Sequence, residues 1–242
     1  MIDAPIAAAG LRNSGPILGV LRHELAACRS LLEIGSGTGQ HAVEFAASLP
    51  DLTWQTSDLG ESHDGIRAHI ESAAITNVMA PMLLDVRSAN LPGAAYDAVF
   101  TCNTAHIMSF AAVENMIRLV GATLQINGVF ACYGPFKQGG DFSTESNANF
   151  DQWLRRRDPE SGIRNLEDLD TLATDAGMQR RRVYAMPANN LLVVVHRELV
   201  ALSGMAEVGP MRNRVFEVID GLAPAVLATD LKPVPAVFLG GV

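Results

Sequence analysis

The residues best placed to do chemistry begin with an acid followed by three glycines. Leu31-Leu32-Glu33-Ile34-Gly35-Ser36-Gly37-Thr38-Gly39-Gln40-His41 reads as an apolar strand, a glycine-rich turn and the start of a helix. Glycine allows positive φ and lets a ligand lie close against the backbone. A dinucleotide turn has the spacing G-x-G-x-x-G and sets a pyrophosphate at the helix N-terminus. Here the spacing is G-x-G-x-G, and Gln40 follows Gly39. Glu33 stands two positions before the first glycine. A carboxylate there suits a ligand carrying an ammonium and a sulfonium better than it suits a pyrophosphate. That charge argument favours S-adenosylmethionine (SAM) over NAD.

Two further acids support the choice. Asp58 ends the second predicted strand, Leu52 to Ser57, where a carboxylate can accept hydrogen bonds from both ribose hydroxyls. Asp85, in Leu83-Leu84-Asp85-Val86, is expected to close a third strand and accept from the adenine amino group. The alternative for each is a carboxylate that caps a helix or a loop. The expected cofactor residues are Glu33, Gly35, Ser36, Gly37, Gly39, Gln40, Asp58, Leu59, Asp85, Val86 and Asn103. Asn103 and His106 follow a fourth strand, where a methyl acceptor would meet the cofactor. A histidine there can take a proton from an acceptor hydroxyl, amine or thiol. The alternative is an imidazole that only shapes the pocket wall. His106 and Asn103 are the expected catalytic residues at this strand end, and no metal is expected.

These residues need a frame that sets them at strand ends. Helices are predicted over about Pro16–Cys28, Gln40–Ser48, Glu61–Ala74, Ser109–Leu124, Asn147–Arg157 and Leu166–Ala176. Strands are predicted over Arg29–Ile34, Leu52–Ser57, Met82–Val86, Tyr96–Cys102, Val129–Tyr133, Arg182–Met186 and Leu191–His196. Such alternation implies βαβ units and a mainly parallel sheet covered on both faces. The ligand crevice of such a sheet lies at the carboxyl ends of its strands.

Composition narrows the function. Apolar residues make up 48% of the 242, enough for a sizeable core in one α/β domain with an appendage. No apolar run reaches the ~20 residues of a membrane span. Met1 to Gly10 has no Lys or Arg, so a secretory leader is not expected. The net charge of −8 argues against broad binding to a nucleic-acid backbone. Arg155-Arg156-Arg157 and Arg180-Arg181-Arg182 are the local exceptions, read as solvated faces. Cys28, Cys102 and Cys132 are too few and scattered for a disulfide framework or a zinc cluster, and a cytoplasmic setting is expected.

Several short strings, in order, resemble the methyltransferase-like 26 family, predicted class I SAM-dependent methyltransferases of largely undefined substrate. They are Arg12-Asn13 with Pro16-Ile17-Leu18, Leu32 to Ala42, Trp54-Gln55 with Ser57-Asp58, Leu84-Asp85-Val86 and Asn103 with His106-Ile107. Tyr133-Gly134-Pro135-Phe136, Ser146-Asn147, Phe150-Asp151, Asp158-Pro159, Gly162-Ile163-Arg164 and Met186 to Asn190 complete the match. The resemblance implies a Rossmann-like class I methyltransferase fold, an α/β architecture with a mainly parallel seven-stranded sheet and helices on both faces. It also implies SAM, adds Arg12, Asn13, Tyr133, Lys137, Asn189 and Asn190 as pocket candidates, and brings Tyr133 into the expected catalytic set beside His106 and Asn103. At least one of Asn189 and Asn190 is expected to make a turn instead. The chain departs from the family in two places. Met108-Ser109-Phe110 stands where the family has a Trp shortly after the His-Ile pair, and the family ends near Arg197. The domain is therefore expected over 1–197. Residues 198–242 are expected to form a C-terminal extension, read as a strap, a lid or a homodimer arm.

The sequence thus leads to SAM-dependent methyl transfer onto a small-molecule oxygen, nitrogen or sulfur nucleophile, with no nucleic-acid or membrane partner. Two alternatives stay open. One is a SAM-binding interaction protein without transfer activity. The other is a dinucleotide oxidoreductase, against which the glycine spacing and Glu33 count.

Overall fold

The computed structural model describes residues 8–88 and 96–198, with residues 8–12 described by backbone alone. The expectations for residues 199–242, and for the side chain of Arg12, lie outside the described residues. Five parallel strands lead the fold: β1 (Ser30–Ile34), β2 (Thr53–Asp58), β3 (Val78–Leu83), β4 (Tyr96–Cys102) and β5 (Leu124–Gly134). The two-residue strands β6 (Phe136–Lys137) and β7 (Arg164–Asn165) form a separate parallel pair. The antiparallel hairpin β8 (Met178–Met186) and β9 (Asn190–Arg197) completes the main sheet. Its order is β3-β2-β1-β4-β5-β9-β8, seven strands, mostly parallel, as in class I methyltransferases. The order reverses between β1 and β4, so a crevice is expected past their carboxyl ends.

The helices are α1 (Ala8–Glu24), α2 (Gln40–Ser48), α3 (His63–Ala73), α4 (Phe110–Thr123), α5 (Glu145–Arg157) and α6 (Leu166–Asp175). Side chains alternate across the pleat of β1, and the core divides accordingly. Leu31 packs with Ile17 and Leu21 of α1 and with Phe45 of α2. Leu32 and Ile34 pack with Val113, Met116 and Ile117 of α4 and with Leu169 of α6. Both faces of the sheet are therefore covered, which fits its near-continuous apolar strands.

Some boundaries differ from those predicted. The first helix begins at Ala8, so Pro16 lies inside it rather than in its first turn. The third strand is Val78–Leu83, and Leu84, Asp85 and Val86 follow it as a loop. Pro81 disguised this strand, since proline cannot donate to a sheet ladder. β3 is an edge strand, where proline is tolerated. α4 ends at Thr123, and β5 starts directly at Leu124 with an irregularity before Val129. There Asn127 takes φ +66°, and a Cβ on Gly128 would lie 2.7 Å from the Gln125 carbonyl oxygen.

Candidate active site

A cavity of about 480 Å³ opens past the ends of β1, β2 and β4, at the reversal in strand order. Its wall includes Gly35, Gly37, Asp58, Leu59, Asp85, Val86 and Asn103. The size suits a small molecule or a cofactor. The three glycines of the turn all have positive φ, at +73°, +58° and +85°. Their surroundings differ. A Cβ on Gly35 would lie 2.9 Å from the Thr104 side chain, and one on Gly39 would lie 2.9 Å from the Ile66 Cα in α3. A Cβ on Gly37 would meet nothing within 4 Å. Gly35 and Gly39 let elements pack closely, whereas Gly37 leaves bare backbone on the cavity wall.

Asp58 is held from two sides. Gly37 N–H donates to its Oδ2 at 2.7 Å, and Leu59 N–H donates to its Oδ1 at 2.7 Å. These two bonds hold the carboxylate in place on the cavity wall. Asp85 sits two residues past β3 and does not close the strand. It accepts from Arg87 Nη2 at 2.7 Å, from Nε at 2.9 and 3.1 Å, and from the Arg87 amide at 3.0 Å. The guanidinium bonds hold the Asp85 carboxyl below its usual range. Arg87 also lines the cavity, so an adenine amino group at Asp85 would have to share it with this cation.

Glu33, Ser36, Gly39 and Gln40 are not among the lining residues. Glu33 is 1% exposed, and the pleat of β1 sends it to the α1–α2 side, beside Trp54. Trp54 Nε1 donates to Glu33 Oε2 at 3.0 Å, and Ser36 Oγ donates to the same oxygen at 2.8 Å. Burial pushes the Glu33 carboxyl up, against the pull of these two donors. The carboxylate that sequence reasoning aimed at the ligand instead braces the turn from beneath.

Asn103 lines the cavity, whereas its neighbours His106 and Gly134 lie behind the lining residues. Asn103 takes φ +59°, and its amide donates to the Tyr133 carbonyl at 2.9 Å. His106 is buried, with its ring 5.4 Å from Phe150 in an edge contact. A Cβ built on Gly134 would lie 3.5 Å from His106 Nδ1 and 4.0 Å from Asn103 Oδ1, ordinary contact distances. Gly134 also has no positive φ, so neither packing nor backbone demands a glycine here. The two polar atoms converge on the bare face of that residue. Burial, reinforced by Arg164, pushes the His106 imidazole down to about 4, so it is neutral at pH 7.

Tyr133 is placed otherwise than expected. It is 1% exposed and absent from the cavity wall, and its hydroxyl accepts from Asn190 Nδ2 at 3.0 Å. Burial pushes its phenol up to about 12. Its backbone carbonyl, not its ring, meets Asn103. Asn189 takes φ +58° in the turn between β8 and β9, while Asn190 starts β9. Asn13 is buried, and Lys137 Nζ lies 5.5 Å from the Phe142 ring. The three cysteines are free, and burial raises all three thiols.

Sequence reasoning missed Arg87 and Arg164 as site residues. Arg87 had a signal, lying two residues from an expected cofactor acid. Arg164 stood only within the matched string Gly162-Ile163-Arg164, which does not reveal that its partners are backbone carbonyls. The basic runs largely meet acids or rings: Arg155 pairs with Asp151, Arg157 covers Trp153, and Arg180, Arg181 and Arg182 pair with Asp170, Glu198 and Glu24. Among the described residues no helix is long and apolar enough to cross a membrane.

A family model described as "Protein of unknown function (DUF938)" matches residues 4–197. Among solved structures, the chain is similar to an O-methyltransferase family protein from Burkholderia thailandensis, with a TM-score of 0.70 at 18% identity. That match covers 80% of this chain and 58% of the other. The S-adenosylmethionine-dependent methyltransferase SibL matches with a TM-score of 0.68 at 19% identity, covering 79% and 56%. The chain therefore spans little more than half the length of these two proteins. The YcgJ protein of Bacillus subtilis matches with a TM-score of 0.60 at 15% identity, covering 78% of this chain and 99% of that one. At such identities the likeness is one of fold.

Proposed function

We propose that this chain, which belongs to the DUF938 family, is a SAM-dependent methyltransferase acting on a small-molecule acceptor. One observation carries the reading: a cavity at the strand-order reversal, walled by bare glycine backbone at Gly37 and by the amide-held carboxylate of Asp58. The printed names of the O-methyltransferase family protein and of SibL support it. The resemblance to the methyltransferase-like 26 family supports the finer placement and the domain over 1–197, where the family match also ends. Three free thiols suit a reducing setting such as the cytoplasm.

In this reading Gly35, Gly37, Asp58, Leu59, Asp85 and Val86 line the cofactor's seat. Bound SAM would supply a methyl group already activated by its sulfonium. Asp58 binds the ribose hydroxyls, and Asp85 accepts from adenine while shared with Arg87. Glu33 and Ser36 hold the turn in shape, and Gly39 and Gln40 begin the helix behind it. On the acceptor side Asn103 orients the nucleophile, and neutral His106 takes its proton at Nδ1. Tyr133 supports Asn103 through its carbonyl. The protein's contribution is positioning and exclusion of water.

Calorimetry with SAM tests the reading directly. Binding is expected, and an absence of heat at millimolar SAM would sink it. Asp58→Ala should weaken SAM by roughly 1.5–3 kcal/mol through lost charge-assisted hydrogen bonds.

A further inference from the structure

We infer that Arg164 is the positioning residue of the acceptor side: its buried guanidinium ties the turn carrying His106 to the segment after α5 and so fixes the imidazole beside Gly134 and Phe150. The turn 105–108 presents four consecutive carbonyls, and residues 161–164 satisfy every one. Arg164 Nε donates to Ala105 O at 3.0 Å, and Gly162 N donates to His106 O at 2.9 Å. Ser161 Oγ donates to Ile107 O at 3.2 Å, and Arg164 Nη2 donates to Met108 O. The same Nη2 reaches Glu160 O at 2.8 Å. A planar fork of donors is pre-organised to serve several carbonyls at once, whereas a lysine ammonium is a single point charge on a flexible stem.

The charge of Arg164 is part of the arrangement. A buried cation is costly unless paired, and the usual partner is a carboxylate. Arg164 is 8% exposed, and its partners here are neutral carbonyls. The nearby acids are engaged elsewhere. Asp151 on α5 accepts from Arg155 Nε at 2.8 Å and from the Ile163 amide at 2.7 Å. Asp158 accepts from the Glu160 amide at 3.0 Å and from Ser161 Oγ at 3.4 Å. The charged groups facing this corner are thus Arg155, Asp151 and Asp158 around α5 and the segment after it, and Arg164 on β7. Of these, Arg164 is the one whose charge bears on His106, and it adds to burial in keeping the ring neutral. A neutral imidazole keeps a lone pair for an acceptor's hydrogen bond, and its lowered value makes it a weaker base than an ordinary histidine. Sequence position hides the link, because residues 106 and 164 lie on different connections of the fold.

Only the catalytic meaning of this inference rests on the methyl-transfer reading, so its test uses the ring itself. The His106 ring signal is followed by NMR against pH in the full chain, identified by its loss in His106→Gln. In the native protein it should titrate near pH 4. In Arg164→Met the midpoint should rise by about one unit or more, since the cation is gone and the turn is loosened. In Arg164→Lys, which keeps a charge but loses the fork, it should rise less. A native midpoint near the ordinary histidine value overturns the inference, as does an unchanged midpoint in a folded Arg164 variant. Should Arg164→Met not fold, Arg164→Lys carries the comparison and the native titration stands by itself. A native protein that binds no SAM but shows the expected titrations would overturn the methyl-transfer reading and leave the Arg164–His106 link in place.

Discussion

Glu33 and His106 are both buried titratable groups, and burial moves them in opposite directions. Glu33→Ala strips Trp54 Nε1 and Ser36 Oγ of their shared acceptor. Each orphaned donor costs on the order of 1–3 kcal/mol, so a loss of about 2–6 kcal/mol is expected. Glu33→Gln keeps an acceptor oxygen and should unfold close to the native midpoint at pH 7. Urea unfolding of the two variants checks this, and equal losses would contradict the bracing role. For His106, the folded chain holds the imidazole near 4, below its usual value of 6.5. Between those pH values the unfolded chain binds a proton that the folded chain refuses. Stability present in full above pH 6.5 is therefore lost as the pH falls towards 4, by about 2–3 kcal/mol at pH 4.5. Glu33 acts with the opposite sign, losing its contribution as the pH rises through its raised value, but it is common to both proteins being compared. His106→Gln should consequently flatten the native fall in stability between pH 7.5 and 4.5. Identical slopes would refute the buried neutral ring. At this scale the sequence revealed which residues were unusual but not which way they faced. Asp58 was legible because the end of a strand fixes its place. Glu33 was misread because one step of pleat turns a side chain from the crevice to the core.

At the scale of elements, the glycine turn separates into parts with different duties. Gly39→Ala adds a methyl 2.9 Å from the Ile66 Cα at φ +85°. α2 and α3 must then move apart, at a cost of about 2 kcal/mol or more. Gly37→Ala meets open space and pays only for its φ of +58°, about 1 kcal/mol. It nevertheless sets a methyl on the cavity wall and should weaken SAM at least tenfold. Thermal unfolding and calorimetry on both variants will show whether packing and binding divide in this way. The reverse pattern would mean that Gly37, not Gly39, is the packing glycine. The helix over Gln40–Ser48 and the strand over Tyr96–Cys102 were legible to the residue, being bounded by glycines and by a clean apolar run. β3 was not, because Pro81 contradicts a strand until its place at the sheet edge is known.

For the molecule as a whole, the sheet order brings Asp58 and Asp85, from the end of β2 and the loop after β3, into one wall. A ligand held there binds the folded state alone and must raise its stability. SAM at a hundred times its dissociation constant should add about 2.7 kcal/mol, a rise of several degrees in Tm for a domain of this size. NAD at the same concentration should leave Tm unchanged, and the opposite result would favour a dinucleotide protein. The alternation of strands and helices made the architecture legible, whereas the insertion of β9 between β5 and β8 was not, since only long-range pairing sets it. That insertion determines where the chain leaves the domain. β9 runs antiparallel to β5, with His196 opposite Val129 and Leu191 opposite Gly134. The Glu198 amide then reaches the Gly177 carbonyl at 3.1 Å. The exit is therefore roughly 20 Å of strand away from Gly134 and the crevice. A surface or fusion partner joined through the segment after Glu198 starts from the opposite rim of the sheet.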